Sequence, residues 1–289
     1  EIVNIRPNTV TLNANAVCAS LLVGYGSANN QILTFSGSVT LTIAGALNVG
    51  TSGSSTRPGN LAFTIGATVV AGSVQLNHNL KGTEKSVITM AAGGKLITGS
   101  LAVAGTPDNA TWTPGAGTVE LNANNTLPAT HFTTFNNLTI SGATTTLGAK
   151  LTVVSNLVIS SSAYMNLGTF TNSTADTLWF DGVAQAAGVW GAIGSGATYT
   201  SARFTGSGRI TVARVACTPP SAPTANSPQT FSSANSPMVA NLTTTSGTLI
   251  KWYSAASGGT ALPGPTPLYT STYYASDTVG SCESANRTA

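Results

Sequence analysis

The sequence predicts an all-β chain, a right-handed parallel β-helix (solenoid) followed by a small Ig-like β-sandwich. Three observations carry that expectation. Only 7% of the 289 residues are charged, against roughly a quarter in an ordinary soluble domain; Thr, Val, Gly and Asn, which favour strands and turns, are abundant instead. Short runs alternate a hydroxyl or amide side chain with Val, Ile or Leu, the period of two that a half-buried strand needs. These runs recur about every 20 to 25 residues, as the coils of a solenoid do when neighbours stack in parallel.

The solenoid is expected over residues 1–214, with alternating runs at 9–12, 39–43, 61–65, 86–90, 118–121, 138–140 and 157–159. Two echoes support stacking of equivalent positions. Leu41-Thr42-Ile43-Ala44-Gly45 returns as Leu138-Thr139-Ile140-Ser141-Gly142, and Leu47-Asn48-Val49 returns as Leu101-Ala102-Val103. An antiparallel sandwich would need two-residue Asn-Gly or Asp-Gly turns between its strands, and only Asp181-Gly182 fits. Near 178–212 the pattern changes: Trp179, Phe180, Trp190, Tyr199 and Phe204 crowd together. Bulky aromatics there suit a cap over the apolar end that a solenoid otherwise exposes.

Residues 215–223 form a Pro-rich linker, in which Pro219, Pro220 and Pro223 favour an extended connector. From 224 to 289 the chain is too short for a second solenoid. It is expected to form a sandwich with strands at 229–231, 239–242, 249–253, 272–275 and around Cys282, with Trp252 packed inside. Of three cysteines, Cys217 and Cys282 bracket this segment as an intradomain disulfide would, contributing roughly 4 kcal/mol in the chain-entropy model. Cys18, inside an apolar run, is expected to be a buried, unpaired thiol.

Composition also excludes. The 11 basic and 8 acidic residues are scattered, with no basic stripe for nucleic acid. No apolar run of about 18 residues points to membrane insertion. Polysaccharide cleavage needs paired carboxylates, or calcium, with a base nearby. Glu84 and Asp108 lie about one coil apart near Lys81, Lys85 and Lys95, but Asp108 belongs to a solvated turn, and Asp176 and Asp181 flank a strand at the cap. His78 and His131 lack a second ligand at metal spacing. No nucleophile elbow or phosphate loop occurs. The expectation is a protein that is not an enzyme, with no catalytic, cofactor or metal residues.

The segment Thr177-Leu178-Trp179-Phe180-Asp181-Gly182-Val183-Ala184-Gln185-Ala186-Ala187-Gly188-Val189-Trp190-Gly191, with Phe204-Thr205-Gly206-Ser207-Gly208-Arg209-Ile210-Thr211-Val212, resembles the closing motif of autotransporter-like β-helix repeats in secreted bacterial proteins. Ile250-Lys251-Trp252-Tyr253-Ser254-Ala255-Ala256-Ser257-Gly258-Gly259-Thr260-Ala261-Leu262, with Thr272-Tyr273-Tyr274-Ala275 and Cys282-Glu283, resembles the Ig-like modules of large Bacteroidota surface proteins. The resemblance implies type IX secretion, an extracellular or outer-cell-surface location and an adhesin-like role. The terminal sorting domain of such proteins does not occur here, which fits a processed subunit or a piece of a larger protein. Asp176-Thr177-Leu178 and Asp277-Thr278-Val279 are similar to the O-glycosylation signal of that phylum, which makes Thr177 and Thr278 candidate glycan sites.

The functional expectation is an extracellular structural or adhesive module of a bacterial surface protein or fibre. Its partners would be other copies of itself, neighbouring surface-protein domains or surface glycans. A sandwich of this kind normally runs one more apolar strand after Arg287-Thr288-Ala289, so an open groove is expected, which a neighbour's strand could fill. Glu1-Ile2-Val3-Asn4-Ile5 is a candidate donor, although its plainer role is the first coil. The alternative is a glycan-binding or polysaccharide-degrading β-helix protein, with Trp112, Trp179 or Trp190 as stacking aromatics. Ice binding would need regular Thr-x-Thr files, and the threonines here are irregular.

Overall fold

The computed structural model describes residues 1–5, 8–24, 31–51, 58–77, 85–104, 110–142, 144–160, 162–216, 219–279 and 282–289. The chain is all-β and divides into two compact units, Glu1–Ala216 and Cys217–Ala289.

The first unit is a parallel β-solenoid of about six turns. Its longest file of inward residues runs Leu41, Val69, Leu96, Val119, Leu138, Leu157, Leu178, each paired with the next across parallel strands. All seven are buried. Alternation explains this: with side chains on opposite faces at successive positions, placing one aliphatic inside places every second one inside. Burying each Leu, Val or Ile stabilises by about 2 kcal/mol, and the file concentrates that gain along one axis. A neighbouring file runs Ile43, Ala71, Thr98, Leu121, Ile140, Ile159. Thr98 is tolerated inside because its hydroxyl donates to the carbonyl of Ser100 at 3.0 Å, so no polar group is left unpaired.

Both echoes are explained by stacking. Leu41 and Leu138 belong to one file, and Leu47 reaches Leu101 through Val74. Coil length varies more than the alternation indicated. It is 28 residues from Leu41 to Val69, 27 from Val69 to Leu96, and 19 both from Val119 to Leu138 and from Leu138 to Leu157. Corners need close backbone approach: a Cβ on Gly142 would stand 2.0 Å from the carbonyl oxygen of Asn122 in the coil below.

The candidate donor strand, Ile2–Ile5, forms part of the first coil, paired in parallel with Ser20–Val23. Among the described residues no second strand pairs with it, and Ile2 is 68% exposed. At the opposite end, Asp181 and Gly182 both have positive φ and join Trp179-Phe180 to Val183-Ala184 in an antiparallel hairpin, as a type I′ turn does. Gly188–Gly191 then runs antiparallel to Arg209–Val212, ending the parallel stack. Phe180 meets Trp190 and Phe204 edge-on at 5.6 and 5.8 Å, and Tyr199 stacks on Trp190 at 5.0 Å.

The second unit departs from expectation. Among the described residues its strands form two antiparallel pairs, Lys251–Tyr253 with Tyr274–Ser276 and Thr278–Val279 with Cys282–Glu283. Of the other expected strands, 229–231 has no ladder and 239–242 holds a 3-10 turn, Val239–Asn241. The reason at 229 is a side chain doing a backbone's task. Gln229 donates from Nε2 to the carbonyl of Thr243 at 2.7 Å and accepts the Thr243 amide at 2.9 Å. Trp252 is buried as expected, with Val239 and Ala275.

Two substitutions test the solenoid. Leu138→Ala is expected to cost about 3 kcal/mol, and Gly142→Ala a comparable amount through backbone displacement. Both are read from thermal or denaturant unfolding, where an unchanged midpoint for Leu138→Ala would contradict the stacked file.

Candidate functional site

The three candidate tryptophans separate by environment. The Trp112 indole donates to the carbonyl of Thr134 at 2.7 Å and packs on Phe132 and Phe135, at 5.1 and 5.9 Å. Trp190 is 7% exposed and donates to the carbonyl of Ala186 at 2.8 Å. Trp190 is a core residue, and Trp112 is half-buried and packed against the core. Trp179 is likewise half-buried, its indole donating to the Asn156 carboxamide oxygen at 3.3 Å. It ends an outward file that runs Val17, Thr42, Val70, Ile97, Glu120, Thr139, Val158, Trp179 along the whole solenoid.

Among the described residues the acids other than Glu1 each hold a base or hydrogen-bond donors. Glu120 meets Lys95 at 2.8 Å and accepts from the Ser141 hydroxyl at 2.7 Å. Partial burial acts to raise its carboxyl, but these hydrogen bonds and the Lys95 charge outweigh it and hold the group below the usual range. Asp181 meets Arg203 at 2.6 Å, and Arg203 also donates to the carbonyl of Ser160 at 2.8 Å, tying the hairpin to the last coils. Asp176 takes the Arg214 guanidinium at 2.8 Å on both oxygens. Glu84, Asp108, Lys81 and His78 lie outside the described residues, so the Glu84 and Asp108 pair is not placed. His131 lies 3.1 Å, through Nε2, from the carbonyl of Ala110. Among the described residues no group of three or more His, Cys, Asp or Glu could hold a metal, and no helix is long and apolar enough to cross a membrane.

Both candidate glycan sites are buried. Thr177 is 5% exposed and its hydroxyl donates to the Asn156 carboxamide oxygen at 2.8 Å; Thr278 is 7% exposed. A sugar on either would have to displace packed neighbours. Their aspartates have structural work: Asp277 accepts the backbone amides of Thr248, Leu249 and Thr278 at 2.8, 2.9 and 2.9 Å. Those three bonds hold its carboxyl below the usual range. Cys18 is a free, half-buried thiol, and burial pushes its pKa up. Cys217 lies outside the described residues, and with it the expected pairing to Cys282.

The second unit carries two features that composition did not disclose. One is a polar cluster around Glu283, which accepts from Ser276 at 2.6 Å and from Tyr253 at 2.7 Å and meets Lys251 at 3.4 Å. Arg287 covers the Tyr253 ring, 3.3 Å from its centroid. Burial would raise the Glu283 carboxyl, yet the hydrogen bonds from Ser276, Tyr253 and Lys251 prevail and lower it; the Tyr253 phenol is raised by burial and by its bond to Glu283. The second is an open groove of about 1000 Å³, floored by Trp252, Leu242 and Leu268, walled by Phe231 and Met238, and bordered by Tyr273. The cluster depends on residues 36 positions apart at most, 251 to 287, but no local spacing marks it.

Comparison with known protein families, curated proteins and solved structures returns no match.

Three outcomes follow from these environments. Trp112→Ala should cost about 3 to 5 kcal/mol, the range for a packed tryptophan, whereas Trp179→Ala should cost under about 1 kcal/mol. Unfolding curves that rank them the other way would reverse their assignment. Cys18 should be alkylated at pH 8 more slowly than a free model thiol, since less thiolate is present. The carboxyls of Glu120, Asp277 and Glu283 are lowered in the fold, so their stabilisation is complete above the ordinary carboxylate pKa, about 4, and is lost as pH falls through the lower folded values. Melting temperature should therefore fall with acidification, and Glu283→Gln should flatten that dependence.

Proposed function

We propose that the chain is an extracellular structural or adhesive module of a bacterial surface protein or fibre, the solenoid serving as a stiff rod. The observation that carries this is the state of the acids. Apart from Glu1, each acid among the described residues is bound to a base or to backbone amides, which leaves a surface of hydroxyl, amide and aliphatic groups suited to contact rather than proton transfer. In this proposal the second unit is an Ig-like module with Cys217 and Cys282 joined, export follows the type IX route, and the partners are other polypeptides on the same surface, including further copies.

A second function has one observation in its favour. Trp179 closes a mostly uncharged outward file, a shape on which a sugar ring could stack. Beads coated with the protein should be retained on bacterial or glycan-coated surfaces, and microscopy at rising concentration should reveal end-to-end assemblies. Release of reducing or unsaturated sugar ends from soluble polysaccharides would contradict the structural role. Retention lost in Trp179→Ala at unchanged melting temperature would favour the glycan function instead. Peptide mapping without reductant should recover Cys217 linked to Cys282.

A further inference from the structure

One face of the solenoid lies apart from the file that Trp179 ends. It is a parallel sheet of four short strands, Asn125–Thr126, Thr144–Thr146, Tyr164–Asn166 and Phe204–Thr205. Alternation sends Asn125, Thr145, Met165 and Phe204 inward, where all four are buried, and turns the residues between them to solvent. Two outward files result. One sets Thr144 beside Tyr164, and the other runs Thr126, Thr146, Asn166, Thr205. Among the described residues of the solenoid Tyr164 is the most exposed aromatic, at 44%. Tyr199, the next, is occupied by stacking on Trp190.

The strands beside Tyr164 supply a polar hollow. A depression of about 240 Å³ is lined by Asn124, Asn125, Thr126, Thr144 and Thr146, none of them charged. Two carboxamides on this face are already oriented. Asn124 accepts the Thr144 amide through Oδ1 at 2.9 Å, and Asn166 accepts the Gly168 amide through Oδ1 at 2.9 Å. With both oxygens taken by backbone donors, the two NH₂ groups are left to donate to whatever lies against the face. From Tyr164 back to Asn124 is two strand spacings, about 10 Å. In the other direction the file reaches Arg203, whose charge is met by Asp181 at 2.6 Å.

An uncovered aromatic ring next to an uncharged hollow of hydroxyls and amides suits a neutral sugar. A pyranose brings a C–H face for the ring and hydroxyls that both donate and accept, and it needs no counter-charge. An anion or a basic peptide would meet no opposite charge in the lining, and an apolar surface would leave the carboxamides without partners. We propose that this face binds a neutral oligosaccharide in extended form, one ring on Tyr164 and the next in the hollow at Asn124, Thr144 and Thr146. The inference rests on the proposed adhesive role, and it names a place and a ligand class for that role. The sheet is a different one from that of Trp179, so the two aromatics are separable by substitution.

Calorimetric titration of the full chain with cellohexaose and with a β-linked mannohexaose tests this, with hexagalacturonate as the acidic control. At least one neutral oligosaccharide should bind, and hexagalacturonate should not. Tyr164→Ala should weaken binding by about ten-fold, and Tyr164→Phe, which keeps the ring, by much less. Thr146→Val, which removes a hydroxyl at nearly constant shape, should weaken it by about three-fold or more; it is the deciding variant should Tyr164→Ala lower the melting curve. Trp179→Ala should bind as the parent chain does. No heat from either neutral sugar, equal binding of hexagalacturonate, or unchanged binding by a folded Tyr164→Ala or Thr146→Val chain would overturn the proposal. Binding lost in Trp179→Ala but kept in Tyr164→Ala would overturn this site while preserving glycan contact on the other face. End-to-end assembly or surface retention without oligosaccharide binding would likewise remove the site and leave the structural module standing.

Discussion

The structure depends on registered stacking of aliphatic side chains between parallel coils. Leu41, Val69, Leu96, Val119, Leu138, Leu157 and Leu178 sit one above another, and a slip by one residue in any coil would turn its share of that file outward. Coil length is free to vary because the file constrains only a few residues per turn. Coils of 28 and of 19 residues therefore share one core. The outer surface is released from the task of stabilising the fold, and this chain covers it with hydroxyls, amides and few charges.

Such a stack must be stopped where its coils give way to another structure. At the C-terminal end an antiparallel strand, Gly188–Gly191, and the ring cluster of Phe180, Trp190 and Phe204 interrupt further parallel addition. Arg203 reaches from Asp181 to Ser160 and so fastens the hairpin to coils already formed. In the first coil Ile2–Ile5 pairs with Ser20–Val23, and Ile2 is largely exposed.

Much of the solenoid was legible because alternation and stacking are both written locally. The echoes at Leu41 and Leu138 lie in one file, and Asp181-Gly182, the single expected hairpin turn, forms one. Run 61–65 was overextended: pairing ends at Ala62, and Gly66 takes positive φ after an exposed Ile65. The second unit was less legible. Gln229 imitates a strand partner with its carboxamide, which alternation cannot register. The tryptophans were equally ambiguous, since rings and a carbonyl about one coil away, Phe132, Phe135 and Thr134, hold Trp112 against the core. Thr177 fits a short modification signal, yet its hydroxyl is taken by Asn156 in the neighbouring coil.

The central claim is the register between coils, and a cross-link measures it. Thr139 and Val158 lie side by side on the outward face of adjacent coils. With Cys18 replaced by Ala, the pair Thr139→Cys and Val158→Cys should join on mild oxidation in the folded chain, and Thr139→Cys with Val154→Cys should not. Preferential joining of the second pair would contradict the account.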